Sequence, residues 1–417
     1  MKILRESQNS HLPLQLVDHY NKTYRTSRYV VCEGRRYFNT LTGEAIEVED
    51  FNKDLDKLIE KWFLIPTDFD EASVYYLSSQ ISLKSRGQKR NGKTSFTIFT
   101  ATGCNANCYY CYEKNKDNSY MTKDTAESLA KYIKLRGSYD KNHPVRLYWF
   151  GGEPLINQDA ITTVCEFLSD HNVSFSSHLT TNGFLLSTIS DETLKDVWHL
   201  IGVQMSFEGL GRDYENAKGV SSGVSEKAIE AVKRISKLGA TVTIRLNLDP
   251  DIGIKPLKDV VSRFKDVANL IWNPALLYQK RTEEGYKQLL ELQDWMSKEG
   301  KFKFRLPSIN HRGCLVDNSR SCCITVDGKL APCTHYPDET YGSVFDGKDI
   351  FLDREVIEKW KTRQKDTKET CKKCTLYPKC HKLVHCDAVC DCSAASVNYE
   401  IEKIKRALKE MPNGGMS

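Results

Sequence analysis

Three cysteines, Cys104, Cys108 and Cys111, stand at the spacing C-x3-C-x2-C shortly after residues 95–100, in which polar and apolar side chains alternate. This alternation predicts a half-buried strand, so the cysteines enter a loop from the end of a strand. Three thiolates on one short loop can hold three corners of a four-iron cluster and leave the fourth iron open for a small molecule. The alternative is structural zinc, but zinc takes four ligands and the sequence offers no fourth ligand nearby.

At these residues the chain resembles the radical S-adenosylmethionine (SAM) superfamily, whose signature is C-x3-C-x-aromatic-C, with Tyr110 at the aromatic position. The resemblance implies a [4Fe–4S] cluster whose open iron chelates SAM through its amino and carboxylate groups. It also implies that the reduced cluster cleaves SAM to a 5′-deoxyadenosyl radical, which takes a hydrogen atom from an unactivated carbon. An external one-electron reductant of the flavodoxin or ferredoxin type is the implied partner.

The composition is that of an ordinary globular protein. The chain has 417 residues, of which 40% are hydrophobic, and a formal net charge of +5 with acidic and basic residues mixed along it. These values predict two or three domains and give no argument for binding nucleic acid or an anionic membrane. The first residues lack an apolar signal core and no apolar run approaches the roughly 18 residues of a transmembrane helix, so we expect a cytoplasmic protein.

The fifteen cysteines are unevenly distributed. Three stand at 104–111 and ten stand between 314 and 392, whereas Cys32 and Cys165 stand alone and are expected to be core or surface thiols. Disulfides need an exporting signal, which is not expected here, so the clustering indicates metal binding.

Strand and helix patterns alternate from residue 95 to about residue 300. Six β-α units predict an α/β fold in which a parallel sheet curls into a partial (β/α)6 barrel of the TIM type. The predicted strands are 95–101, 145–150, 174–181, 200–206, 240–248 and 267–273. The predicted helices are 122–136, 158–170, 190–196, 224–238, 256–265 and 283–299.

Chemically distinctive residues lie at or near the carboxyl ends of these strands, on the rim where parallel barrels carry their chemistry. After the cysteine loop come Trp-Phe-Gly-Gly-Glu-Pro at 149–154, Thr-Thr-Asn-Gly at 180–183, Ser-Phe-Glu-Gly at 206–209, Arg245 with Asn247, and Trp-Asn-Pro at 272–274. Random placement would scatter them over both rims, so their agreement favours this fold.

The segment Gly151-Gly152-Glu153 combines backbone freedom with a carboxylate. The glycines allow a backbone to approach a ligand closely, and the carboxylate can accept a hydrogen bond from an ammonium group. In the superfamily that the chain resembles, a Gly-Gly-Glu at this place binds the amino group of SAM.

Other side chains at the strand ends complete the expected cofactor site. The resemblance implies that Ser206 and Asn247 reach ribose hydroxyls and that Arg245 pairs with a carboxylate. Lys218 stands near the place where many relatives carry an arginine, and its role stays open. The expected cofactor-binding residues are Tyr110, Gly151, Gly152, Glu153, Asn182, Ser206, Arg245 and Asn247.

From residue 305 onward the periodicity is lost and cysteines become frequent. Cys314 is followed by thirteen residues, a glycine, four residues and Cys333, and later comes Cys371-x2-Cys374-x5-Cys380. This spacing resembles the SPASM extension of radical SAM enzymes, which holds two auxiliary iron–sulfur clusters. The resemblance therefore covers roughly residues 95–395 and implies three [4Fe–4S] clusters.

The end of this extension departs from the usual order C-x2-C-x5-C-x3-C, because position 384 is Val384. The family topology assigns Cys314, Cys333 and Cys386 to the first auxiliary cluster, with Cys322 or Cys323 as fourth ligand. It assigns Cys371, Cys374 and Cys380 to the second, with Cys390 or Cys392. Zinc is the alternative for this tail, because thiolate sites accept either metal.

Relatives with this extension mostly act on peptides or proteins. The resemblance therefore implies a maturase that forms thioether or carbon–carbon cross-links in a ribosomally made precursor peptide with a leader. One alternative is a peptide epimerase, and another is a formylglycine maturase of sulfatases. The formylglycine group carries an aspartate base directly after the cysteine that corresponds to Cys333, where this chain has Thr334 and His335. A zinc-ribbon binding protein is the non-enzymatic alternative.

The first ninety residues predict a small α+β module. Residues 37–48 predict a hairpin with its turn at Thr42-Gly43, and 54–63 and 71–84 predict helices. Such a module could hold a leader peptide by strand addition or serve as a packing cap. The expected domains are 1–90, this module; 91–304, the radical SAM barrel; and 305–417, the auxiliary-cluster domain with a C-terminal helix.

Overall fold

The computed structural model describes residues 1–6, 23–75, 94–113, 117–137, 143–308, 321–345, 355–356, 360, 371, 373–379 and 392–412. The chain divides into two compact units. Unit 1 contains Met1–Arg90, Trp295–Gly313 and Arg363–Ser417, and unit 2 contains Asn91–Asp294 and Cys314–Thr362. This division differs from the sequence-based domains, because the N-terminal module and the end of the chain belong to one unit.

The regular elements are numbered in chain order. The strands are β1 (Lys2–Arg5), β2 (Tyr24–Thr26), β3 (Val30–Glu33), β4 (Arg36–Asn39), β5 (Ala45–Glu47), β6 (Leu64–Pro66), β7 (Ser95–Ala101), β8 (Val145–Gly151), β9 (Phe175–Thr180), β10 (Leu200–Phe207), β11 (Thr241–Leu248), β12 (Leu270–Leu276), β13 (Ser321–Ile324), β14 (Lys329–Ala331) and β15 (Gly342–Ser343). The helices are α1 (Leu55–Glu60), α2 (Lys123–Gly137), α3 (Gln158–Asp170), α4 (Arg212–Lys218), α5 (Val224–Lys237), α6 (Lys255–Arg263), α7 (Glu283–Lys298) and α8 (Ala394–Glu410).

Unit 2 is organised around one sheet with the order β12-β11-β10-β9-β8-β7-β13-β14-β15. The six strands from β7 to β12 are neighbours in chain order and all pair in parallel. The predicted α/β fold with six β-α units is therefore confirmed. Sequence analysis missed the hairpin that extends the sheet, in which β13 runs parallel to β7 and β14 returns antiparallel to β13.

The two faces of this sheet differ in polarity. On β11 the apolar side chains Val242, Ile244 and Leu246 are completely buried, and helices α5 and α6 pack on this strand. The alternating residues Thr243 and Arg245 are only half-buried. Because successive side chains of a strand point to opposite faces, the helices cover the apolar face and leave the polar face for the functional site.

Unit 1 contains an antiparallel sheet with the order β1-β5-β4-β3. The predicted hairpin is present as β4 and β5, and Gly43 in its turn has a φ of 73°. Helix α8 packs on this sheet, where Phe38, Ile404 and Leu408 are buried in one cluster. The predicted helix at 54–63 is the shorter α1, and residues 71–75 are helical, whereas 76–84 lie outside the described residues.

A buried carboxylate organises a second part of unit 1. Glu71 has no exposed surface and accepts hydrogen bonds from the hydroxyl of Ser27 at 2.6 Å and from Arg25 and Arg28 at 2.9 and 3.0 Å. Nearby, Cys371 and Cys374 pack against the aromatic cluster formed by Tyr29, Trp62, Tyr75 and Tyr377.

Over the described residues, none of the helices has the length and apolar character to cross a membrane.

Candidate functional site

The three cysteines of the first motif lie on the loop that leaves β7, as predicted. Cys104, Cys108 and Cys111 are all partly exposed, and the amide of Cys111 donates to the carbonyl of Cys108 at 3.1 Å. Within the described ranges, no three His, Cys, Asp or Glu side chains are grouped closely enough to hold a single metal ion. A cluster binds each thiolate on a different iron atom, so its ligands need not converge on one point.

The cysteine loop is fixed to helix α4 by its backbone. The amide of Asn107 donates to the carbonyl of Lys218 at 2.8 Å, and that of Tyr109 donates to Ala217 at 3.3 Å. Gly219 has a φ of 60°, and a Cβ placed there would lie 2.5 Å from the carbonyl oxygen of Asn107. Glycine at this position therefore permits the close approach that positions the loop.

Gly151 and Gly152 bring the end of β8 into contact with the start of the cysteine loop. A Cβ on Gly152 would lie 2.4 Å from the carbonyl oxygens of Thr102 and Gly103, and one on Gly151 would lie 2.1 Å from that of Ala101. The amide of Gly152 donates to Ala101 at 3.0 Å. The glycines thus allow two backbones to pack together, in addition to the ligand approach that the sequence predicted.

Glu153, expected to contact an ammonium group, is buried behind the turn that follows β9. Its side chain has no exposed surface, and its carboxylate accepts hydrogen bonds from the Thr181 hydroxyl at 2.7 Å and from the amides of Asn182 and Leu155 at 2.8 and 3.1 Å. Burial raises its pKa to about 7, against the effect of these hydrogen bonds. The carboxylate therefore anchors the Thr-Thr-Asn turn after β9.

Asn182 reaches the cysteine loop from this anchored turn. Its side-chain amide donates to the side-chain oxygen of Asn105 at 2.6 Å and lies 4.0 Å from the sulfur of Cys104. Gly183, with a φ of 85°, ends the turn. Of the predicted cofactor-binding side chains, Asn182 is thus placed directly beside a cysteine of the motif.

Lys218 lies at the centre of the site, although the sequence left its role open. It is only 2% exposed, and its ammonium group donates to the Tyr110 hydroxyl at 2.7 Å, donates to the hydroxyl of Ser206 and lies 3.3 Å from Glu208. Burial raises the pKa of the Cys108 thiol, and the nearby Lys218 charge acts in the opposite direction. The sequence indicated the position of Lys218, but the side chains that Lys218 contacts could not be derived from motif spacing.

Glu208 joins the predicted residues of β10 and β11 into one network. It accepts a hydrogen bond from Tyr110 and another from the side-chain amide of Asn247 at 2.8 Å. Arg245 in turn donates to the Asn247 side-chain oxygen at 2.9 Å. The second carboxylate oxygen of Glu208, Oε2, is buried and receives no hydrogen bond from the described residues.

The structure therefore brings Tyr110, Ser206, Arg245 and Asn247 together around the Lys218–Glu208 pair. The Trp-Asn-Pro segment at 272–274, expected near the end of the sixth strand, lies within β12, where Asn273 is opposite Arg245. The partly exposed thiols fit a bound cofactor, and a ligand hydroxyl or amine could donate to the Glu208 Oε2, which lies 3.3 Å from the Lys218 ammonium but accepts no hydrogen bond from the described residues.

The cysteines of the tail are only partly within the described residues. Cys322 and Cys323 are buried on β13, and Cys333 accepts a hydrogen bond from the amide of His335 at 3.3 Å. In unit 1, the amide of Cys374 donates to the carbonyl of Cys371 at 3.0 Å, and Cys392 is exposed. Cys314, Cys380, Cys386 and Cys390 lie outside the described residues.

The six parallel strands and the cysteine loop belong to a known class of domain. Residues 98–264 match the family model of the radical SAM superfamily. Over these residues, the match confirms the resemblance recognised at the cysteine motif. The domain implies SAM and a [4Fe–4S] cluster as cofactors.

Particular relatives are similar over parts of the chain. It is 30% identical over 135 residues to the uncharacterized protein MJ0907 of Methanocaldococcus jannaschii, covering 31% of this chain and 45% of that protein. It is 23% identical over 206 residues to the radical SAM cyclopropyl synthase TigE of Paramaledivibacter caminithermalis, covering 45% of this chain and 43% of that protein. The chain thus spans about half the length of these relatives.

Two solved structures share the fold over most of the chain. One is Streptococcus suis SuiB bound to the precursor peptide SuiA, with a TM-score of 0.52 and 14% identity over 86% of this chain and 95% of that one. The other is anSMEcpe with bound AdoMet, which is SAM, and the Cp18Cys peptide, with a TM-score of 0.54 and 19% identity over 76% of this chain and 96% of that one. At these identities the likeness concerns the fold alone.

Proposed function

We propose that this chain is a radical SAM maturase that modifies a ribosomally synthesised precursor peptide, forming a thioether or carbon–carbon cross-link. The observation that carries the proposal is the likeness of fold to peptide-bound SuiB, which covers 86% of this chain and so extends beyond the radical SAM domain at 98–264. The peptide-bound structure of anSMEcpe supports the same substrate class.

The first cluster would be held by Cys104, Cys108 and Cys111. When bound, the cluster and SAM supply a 5′-deoxyadenosyl radical that abstracts a hydrogen atom from the substrate. The chain's own part is to bind SAM, to aim it at the peptide and to exclude water. The Lys218 ammonium, which is buried beside Cys108, adds a fixed positive charge to this place.

The remaining cofactor contacts are proposed from the network around Lys218. The buried Glu208 Oε2 lies 3.3 Å from the Lys218 ammonium but accepts no hydrogen bond within the described part of the chain, so we assign it to a hydroxyl or amino group of SAM. Ser206, Asn247 and Arg245 already contact this network and stay proposed SAM contacts. Glu153 acts indirectly in this proposal, because its carboxylate holds the turn that carries Asn182.

Two auxiliary [4Fe–4S] clusters complete the proposal. They would accept the electron left on the substrate after hydrogen abstraction or bind a substrate thiolate. The hydrogen bond from the His335 amide to the Cys333 sulfur supports the first auxiliary cluster, because hydrogen bonds to sulfur tune the reduction potentials of iron–sulfur clusters. The turn that joins Cys371 to Cys374 supports the second auxiliary cluster.

Leader recognition is assigned to the sheet of unit 1. Its outer strands in the described part of the chain are β1 and β3, and an extended peptide can add to such an edge through main-chain hydrogen bonds. The proposed partners are therefore a precursor peptide with a leader and an external one-electron reductant.

The test is anaerobic co-expression with a candidate precursor, a short cysteine-containing peptide to be sought in the open reading frames next to this gene. Mass spectrometry should find a loss of about two mass units per cross-link, because two hydrogens leave the peptide, and one 5′-deoxyadenosine should form for each. Unchanged mass with deuterium taken from the solvent would indicate epimerisation and refute cross-linking. An aldehyde in place of a cysteine or serine side chain would indicate formylglycine formation.

The matched control is Cys108→Ala. It should abolish reductive SAM cleavage and leave the iron of the tail in place, because the tail cysteines are untouched. Cleavage by this variant would refute the assignment of the first cluster. A colourless protein that contains zinc and does not cleave SAM would instead support the zinc-ribbon alternative.

A further inference from the structure

Strand β13 carries two adjacent cysteines, and the sequence could not choose between them as cluster ligands. In the parallel pairing with β7, Cys322 is opposite Phe96 and Cys323 is opposite Thr97. Successive side chains of a strand point to opposite faces of the sheet. The two thiols are therefore separated by the backbone of the strand, and each belongs to a different environment.

Cys322 faces helix α2. Its neighbour Phe96 packs edge-on against Tyr132 of α2, with ring centroids 5.9 Å apart. The thiol lies within hydrogen-bonding reach of the hydroxyls of Tyr132 and Tyr341. A thiol between two tyrosine hydroxyls is satisfied by the protein itself, so the surroundings of Cys322 are those of a structural core residue.

Cys323 faces the opposite side, with the other cysteine of the hairpin. It is buried in a small cluster with Phe99 and Ala331, and Ala331 is its partner in the antiparallel pairing with β14. Cys333 comes two residues after Ala331, the last residue of β14. The thiols of Cys323 and Cys333 are close enough to interact electrostatically, whereas Cys333 has no such interaction with Cys322.

The surroundings of Cys333 are those of a metal-binding sulfur. Its Sγ accepts a hydrogen bond from the amide of His335, two residues along, at 3.3 Å. Backbone amides that donate to cysteine sulfurs are one of the features that set the potential of iron–sulfur clusters. This face of the hairpin therefore offers two thiols and a donor to sulfur.

We infer that Cys323, and not Cys322, is the cysteine of β13 that binds the same auxiliary iron–sulfur cluster as Cys333. The inference rests on the proposed function only in requiring an auxiliary cluster, and it decides between two cysteines that the sequence left open. The physical reason is that one cluster takes its ligands from one side of a sheet. The Cys322 thiol is on the other side of the sheet, beside Tyr132 and Tyr341. Cys322 then has a packing role.

The test counts iron in a variant that lacks the first cluster. Changing Cys104, Cys108 and Cys111 to alanine leaves only tail iron in protein that is purified and reconstituted without oxygen. Adding Cys323→Ala to this background should remove about four irons per chain, or one if a three-iron cluster persists. Adding Cys322→Ala should leave iron and acid-labile sulfide unchanged, although it loses contacts with two tyrosines.

Controls show whether a loss of iron reflects a lost ligand or a failure to fold, and the result does not depend on catalysis. Circular dichroism and gel filtration identify variants that fold, and Cys323→Ser, which has nearly the same size, replaces Cys323→Ala if the alanine variant unfolds. Iron loss in the Cys322 variant, unchanged iron in the Cys323 variant, or a background without tail iron would each overturn the inference. No peptide or SAM turnover is measured, so failure of the cross-linking proposal would not change this result.

Discussion

Removing the buried charge of Lys218 should destabilise unit 2 strongly. The side chains of Lys218 and Glu208 are 2% and 3% exposed, and their charged atoms lie 3.3 Å apart. Lys218→Met leaves the Glu208 carboxylate buried with only Tyr110 and Asn247 as donors. Breaking a buried ion pair from one side costs about 3–5 kcal/mol, because the remaining charge is uncompensated.

The expected effect is large enough to measure by calorimetry. A loss of 1 kcal/mol lowers the melting temperature of a unit of this size by roughly 2–4 °C, so Lys218→Met should lower it by about 6–20 °C. The measurement uses anaerobically purified protein without SAM, so that cofactor binding does not contribute. Lys218→Arg keeps the charge and tests whether the space fits the larger guanidinium group.

The double variant Lys218→Met, Glu208→Gln distinguishes a pair from two separate contributions. Removing both charges should cost less than the sum of the two single changes, with a coupling free energy of about 0.5–3 kcal/mol. Additive losses, or a Lys218→Met variant that melts within about 2 °C of the parent, would refute the reasoning.

Three further perturbations test other positions. Gly152→Ala would place a Cβ 2.4 Å from two backbone oxygens, so iron analysis should find the first cluster lost. Gly34→Ala is the control: its φ of 59° strains the alanine locally, but the Cβ meets no atom within 4 Å and the first cluster should be kept. Glu71→Gln removes the charge that Arg25 and Arg28 contact and should cost about 1–3 kcal/mol, measured as faster hydrogen exchange of the Arg28 amide. Burial raises the pKa of Glu153 from 4.5 to about 7, so the native state holds a proton that the unfolded chain releases, and stability falls as pH rises through this range. Glu153→Gln should remove that slope in thermal unfolding measured at several pH values.

The sequence by itself determined the repeating architecture and the first cysteine motif. Hydrophobic periodicity is local, so the strand predicted at 200–206 appears as Leu200–Phe207 and the helix predicted at 158–170 has those bounds. The sixth strand of the barrel, predicted at 267–273, is β12 at Leu270–Leu276. It begins three residues later because Asn269, with a φ of 54°, forms a turn before it. The short helix α4 was missed because seven residues between two glycines give too little periodicity.

Only the tertiary structure decided which residues meet. Spacing identified Glu153 and Lys218, but it could not indicate that the Glu153 carboxylate would be buried under the next turn or that Lys218 would join Tyr110, Ser206 and Glu208. These contacts depend on how strands far apart in the chain are aligned. For the same reason the choice between Cys322 and Cys323 required the register of β13 against β7, because a shift of one residue would exchange their faces.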